Sequence, residues 1–151
     1  MKTTIIQWPC FALGAALLFC GCSIFGENER VEVAIAASAA TVSPTNPVTI
    51  NVSANNQGEG RVVWGRGSSS CQLGAVIQAG NENYRIDIRA CTSDLAEQGL
   101  EPGERRNESW LWDGQIFRSN QPERLAPGRY KIYGTAGGWL SKTPVEIEVK
   151  P

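Results

Sequence analysis

From residue 31 onward, apolar and polar side chains alternate in short runs, and each run stops at a cluster of Gly, Pro, Asn or Ser. A repeat of two places successive side chains on opposite faces of a pleated strand, whereas an amphipathic helix needs a repeat near 3.6. VEVAI at 31–35 and VTINVSA at 48–54 show the pattern most clearly, the latter with Val48, Ile50 and Val52 on one face. No segment sustains a helical repeat. The nearest is TSDLAEQ at 92–98, where one helical turn is expected, capped by Ser93 or Asp94 and ended by Gly99 and Pro102. The chain is therefore expected to be all-β.

Further strands are expected at 61–64, 71–78, 84–91, 108–112, 129–136 and 144–150. The punctuation between them consists of SPTNP at 43–47, NNQGEG at 55–60, a flexible crossing at 65–70 and a hairpin loop at 79–83. In YRIDIRAC at 84–91 the repeat of two turns Tyr84, Ile86, Ile88 and Ala90 inward. It turns Arg85, Asp87 and Arg89 toward solvent. Trp110 and Trp112 share one face, and with Trp64 they are expected in the core. Seven to eight strands in about 120 residues match an immunoglobulin-like β-sandwich. A small closed barrel is the alternative. In LAPGRY at 125–130 a Pro-Gly turn precedes a strand opening with Tyr130, an arrangement similar to the tyrosine corner of sandwich folds, whose hydroxyl bonds back to upstream backbone. LEPGE at 100–104 is a second turn of the same kind, ahead of the tryptophan strand.

The N-terminal segment reads as an address. Lys2 begins a segment whose apolar stretch, densest at 11–19, is interrupted by Gln7 and Pro9 and is shorter than the roughly 20 residues of a spanning helix. It is expected to be a secretory signal. The run Leu18-Phe19-Cys20-Gly21-Cys22 resembles the bacterial lipoprotein signal, in which a small residue precedes a cysteine that is lipidated and becomes the new N-terminus. The domain expectations follow: a lipoprotein signal peptide at 1–21, a tether at 22–30 and the β-sandwich at 31–151. Lipid on Cys22 would hold the chain in the cell envelope. In a Gram-negative cell, Ser23 resembles the outer-membrane sorting signal. Two or more acyl chains anchor stably where one does not. An ordinary secretory cut nearby and an uncleaved anchor are the alternatives.

Of the five cysteines, Cys10 and Cys20 leave with the signal and Cys22 carries the lipid. Cys71 and Cys91 remain, and a lone pair in an exported domain is most simply a disulfide, with two free buried thiols as the alternative. No metal site is expected, because two thiolates without histidine leave a tetrahedral ion short of ligands.

Little chemistry is legible. The sequence has no histidine, which removes histidine-based dyads, triads and zinc sites. Fourteen basic against fifteen acidic side chains leave no basic footprint for nucleic acid. Ser68-Ser69-Ser70 lacks an activating base and is expected to be a solvated loop. Asp113-Gly114 reads as a turn. No catalytic residue and no cofactor are expected, so the protein is read as a non-enzymatic monomer that binds. The candidate contacts for a partner are Trp139 and Leu140, in the glycine-rich segment GTAGGWLSK at 134–142, where an aromatic ring on a loop can anchor a protein or stack on a sugar. The alternative is that Trp139 folds back over the open end of the sandwich.

Three motifs occur in order: L-x-P-G-E at 100–104, W-L-W-D-G at 110–114 and L-A-P-G-R-Y at 125–130, with a final strand after them. This series resembles the intracellular proteinase inhibitor (BsuPI-like) domain over roughly the second half of the chain, from about Cys91 to Lys150. The resemblance implies an immunoglobulin-like sandwich and, by the family's name, inhibition of proteinases. The matched residues are turns and core tryptophans, and the export signal is a departure from an intracellular inhibitor. Two binding roles are therefore expected: a membrane-held proteinase-inhibitor-like module of the bacterial envelope, or an adhesion or assembly module that binds envelope proteins or glycans through its loops.

Overall fold

The computed structural model describes residues 30–79, 82–119 and 121–151. Expectations for 1–29, including Cys22 and the signal, lie outside the described residues. The strands are β1 Val31–Ala37, β2 Thr41–Val42, β3 Val48–Asn56, β4 Val62–Gly67, β5 Leu73–Ala79, β6 Glu82–Arg85, β7 Ala96–Leu100, β8 Arg105–Trp112, β9 Gln115–Arg118, β10 Gln121–Arg124, β11 Gly128–Ala136, β12 Trp139–Leu140 and β13 Val145–Val149. The fold is all-β, with two packed sheets in a sandwich.

One sheet has the antiparallel order β1-β3-β8. The other runs β10-β9-β6-β5-β11-β13-β2, with β12 added at the end of β11. Every pairing is antiparallel except β13 with β2, where Thr41 and Val42 lie parallel to Glu148 and Val149. A two-stranded ribbon, β4-β7, joins the two sheets' connections at one end.

The repeat of two explains the core. Val31 and Val33 from β1, Val48, Ile50, Val52 and Ala54 from β3, and Trp110 and Trp112 from β8 face inward on one sheet. Leu73, Ala75 and Ile77 from β5, Ile132 and Ala136 from β11, and Ile147 and Val149 from β13 meet them from the other. Burying such side chains contributes roughly 1.5–3 kcal/mol each against chain entropy, which is why this pattern specifies a sandwich. Trp110 and Trp112 are both buried, as their shared face requires. The Tyr130 hydroxyl donates to the Ala126 carbonyl at 2.8 Å, which is the bond of a tyrosine corner.

Asn56 ties two turns together. Its fully buried Nδ2 donates to the carbonyls of Gly60 (2.8 Å), Leu100 (3.1 Å) and Glu101 (3.2 Å), and its Oδ1 accepts from the Gly58 N–H at 3.0 Å. The L-x-P-G-E turn at 100–104 is thus held from the end of β3 by a residue that reads in sequence as ordinary turn composition.

Four expectations are corrected. The described residues contain thirteen strands where seven to eight were expected; five of the thirteen have four residues or fewer, too short for a repeat to show. Two of these, β9 and β10, form an unforeseen hairpin. The helical turn at 92–98 is absent, and Ala96–Leu100 is a strand paired with β4, because tertiary pairing overrides a weak local preference. The crossing expected at 65–70 begins later, since β4 runs on to Gly67. Finally, the strand expected over 84–91 stops at Arg85. The Ile88 N–H donates to the Ile86 carbonyl at 2.9 Å, a three-residue turn that kinks the backbone at Asp87. Beyond that kink the alternation no longer applies. Asp87 is only 9% exposed, and Arg89 lies against the core instead of facing solvent.

Candidate functional site

Cys71, just before β5, and Cys91 are joined by a disulfide with their Cα atoms 5.7 Å apart and a sequence separation of 20. Beside it Ser68, Ser69, Ser70, Thr92 and Asp94 form an exposed hydroxyl and carboxylate cluster. Ser68 Oγ lies 2.8 Å from Thr92 Oγ1, and the Ser69 N–H donates to Asp94 Oδ1 at 3.1 Å. The Thr92 hydroxyl also donates to Asp94. That bond, then those from Ser69, lowers the Asp94 carboxyl from 3.8 to about 2. So weak a base cannot activate a serine hydroxyl near neutral pH. The cluster cross-links two loops instead. Among the described residues, no three His, Cys, Asp or Glu side chains converge as metal ligands.

Trp139 and Leu140 form β12, which folds back on the end of β11 through the pairs Thr135 with Leu140 and Ala136 with Trp139. The turn between them needs Gly137, whose φ is +56° and where a Cβ would overlap Trp64. The Gly134 N–H donates to Ser141 Oγ at 3.0 Å, and the Ser141 N–H donates to the Gly134 carbonyl at 2.9 Å. Trp139 folds back: its ring is half-buried and edge-on to Trp64, with centroids 6.1 Å apart and planes at 71°. Leu140 takes the outward position at 51% exposure. A small cleft of about 100 Å³ runs beside it, between Trp139, Leu140 and Lys142 on one side and Gln57 and residues 31–33, Glu32 among them, on the other. The structure therefore joins the two candidate contacts in one braced hairpin but exposes chiefly Leu140.

A second polar group has no sequence signal. Arg89 donates from Nη2 to Glu108 Oε2 at 2.6 Å and to the Leu73 carbonyl, and its guanidinium carbon stands 4.5 Å from the centre of the Trp110 ring. Glu108 Oε1 accepts the Gln72 N–H at 2.9 Å. Both charged side chains are nearly buried, 13% and 12% exposed. They join the disulfide-linked segment to β8. The two charges lie 19 residues apart in sequence, and only the kink at Asp87 brings them together.

No family model matches the chain, and no curated protein matches it. Among solved structures, a β-glucosidase from Erythrobacter marinus is 18% identical with a TM-score of 0.45, covering 80% of this chain and 15% of that one. A β-glucosidase from Listeria innocua in complex with gluconolactone is 13% identical, TM-score 0.41, over 80% of this chain and 16% of that one. An alkylpurine DNA glycosylase from Pseudomonas fluorescens, bound to DNA containing an abasic site analog, is 10% identical, TM-score 0.47, over 81% and 31%. The chain spans less than a third of the length of each. Likeness at this level carries no argument about activity.

Proposed function

We propose that this chain is a non-enzymatic binding module of the bacterial envelope, held to the membrane by lipid on Cys22, that presents the β11-β12 hairpin to a proteinase. The observation that carries the reading is Leu140, an apolar side chain exposed on a hairpin braced by the Trp139–Trp64 contact and the Ser141 bonds. A rigid loop loses little freedom on binding, and inhibitors exploit that saving. The sequence resemblance to proteinase inhibitor domains points the same way. The disulfide supports an exported location, since such bonds persist in oxidising compartments.

The test is inhibition of a subtilisin-type protease by the purified protein. Inhibition at micromolar concentration, lost in Leu140→Asp, is expected. No inhibition at that concentration refutes the proteinase reading. Mass spectrometry of the protein from membranes tests the anchor: lipid is expected on Cys22, and a free amine on another N-terminal residue rejects it.

A further inference from the structure

The outer face of the larger sheet carries a row that the hairpin reading does not use. The strand register sets Tyr133 beside Val76, Val76 beside Arg85, Arg85 beside Phe117 and Phe117 beside Pro122, on β11, β5, β6, β9 and β10. The chain neighbours Ile132, Ile77, Ile86 and Ile116 are buried in the core, so Tyr133, Val76, Arg85 and Phe117 point the other way, and Pro122 shares their face as the partner of Phe117. Tyr133, Val76 and Phe117 are half-buried, Pro122 is exposed, and Arg85 is 67% exposed. The row crosses four inter-strand steps, about 19 Å, and is one residue wide, since the next row on the same face lies about 7 Å away.

The flanking rows are polar except where Leu140 pairs with Thr135 at the β12 end. On one side Asp87 and Thr135 close over Gly74. On the other Gln78 pairs with Asn83, both exposed. The charges cancel locally. Arg85 Nε donates to Asp87 Oδ1 at 3.0 Å and its Nη2 to Oδ2 at 2.8 Å, while Lys131 Nζ is 3.9 Å from Glu146 Oε1. The fork on Asp87 fixes the guanidinium at the margin of the row, and the Arg85 side chain stays largely exposed.

We infer that this face binds a neutral oligosaccharide chain laid across the strands, its apolar ring faces on Tyr133 and Phe117 and its hydroxyls on Arg85, Gln78 and Asn83. The local neutrality selects against a polyanion or a charged membrane surface. A protein partner covers a broad patch with an apolar centre, whereas this track is a single residue wide between margins that are polar apart from Leu140 at one end, which fits a chain of sugar rings. The inference shares with the preceding section only the reading of the chain as a binding module. It uses a row of side chains that does not include Leu140, which pairs with Thr135 at the margin of the same face; the sugar titration and the protease assay read the two separately, so either can fail alone.

The experiment is calorimetric titration of the full chain, in a zwitterionic detergent without a sugar headgroup, with cellohexaose and chitohexaose. Binding of at least one in the millimolar range or tighter is expected. Tyr133→Leu and Phe117→Leu keep apolar bulk but remove the flat ring, and each should weaken it about tenfold, near the upper end for one aromatic contact. Leu111→Ala, on the outer face of the smaller sheet, should leave it unchanged. Circular dichroism verifies that the variants are folded. The inference is overturned if neither sugar binds, if folded leucine variants bind as tightly as the parent, or if sedimentation shows a dimer that Tyr133→Leu abolishes, because the face would then be occupied by a second copy.

Discussion

Removing one charge of the Arg89–Glu108 pair should destabilise the domain more than removing both. Arg89→Met leaves Glu108 nearly buried, with only the Gln72 N–H as a partner. Glu108→Leu leaves the guanidinium with the Leu73 carbonyl and the Trp110 ring. Stranding one charge of a buried pair costs about 3–5 kcal/mol. In the double variant no charge is stranded. The methionine side chain still packs on Trp110, and the main loss is the acceptor for Gln72, about 1–3 kcal/mol. A domain of this size is stable by only about 5–15 kcal/mol, so either single change consumes a large share. Urea unfolding followed by tryptophan fluorescence measures all four proteins. The exposed pair Lys131–Glu146 serves as a control, with an expected coupling of about 0–1 kcal/mol. Single variants that each cost less than about 1 kcal/mol would show that the pair is solvated. A double variant that costs the sum of the singles would show that the two charges do not interact.

Three further outcomes are expected. Replacing both Cys71 and Cys91 by serine should lower stability by about 3 kcal/mol, from the entropy of a 20-residue loop, read as a lower urea midpoint; an unchanged midpoint refutes this. Asn56→Ala should cost about 2–4 kcal/mol, because it strips the buried Leu100 carbonyl of its donor and frees two turns, and hydrogen exchange should rise at Gly58 and Gly103. Asp94 should titrate near 2 by carbon-detected NMR, and Thr92→Val should return it toward 3.8. Because its folded value is depressed, its contribution to stability is present above 3.8 and fades as pH falls toward 2.

The all-β class, the sandwich core and the tyrosine corner were legible because each depends on local order. A repeat of two in Val48, Ile50 and Val52 carries its own orientation, and Pro127-Gly128 before Tyr130 sets a turn. The disulfide followed from the cysteine count together with the reading of the N-terminal segment as an export signal, which left Cys71 and Cys91 as a pair. The Trp139 reading was legible only as a choice, because a glycine-rich turn permits a ring to point either way until Trp64 arrives from β4 to receive it. The strand at 96–100, the Asn56 hub and the Arg89–Glu108 pair were not legible. Each joins residues distant in sequence, and their positions depend on backbone kinks and strand pairings that no single run encodes. The aromatic row on the larger sheet is of the same kind. Tyr133 and Phe117 each occupy an ordinary outward position on its own strand, and only the register of β11, β5, β6 and β9 sets them in line. Alternation along a strand is a property of neighbouring residues and survives in sequence; alignment across strands exists only after the sheet has formed.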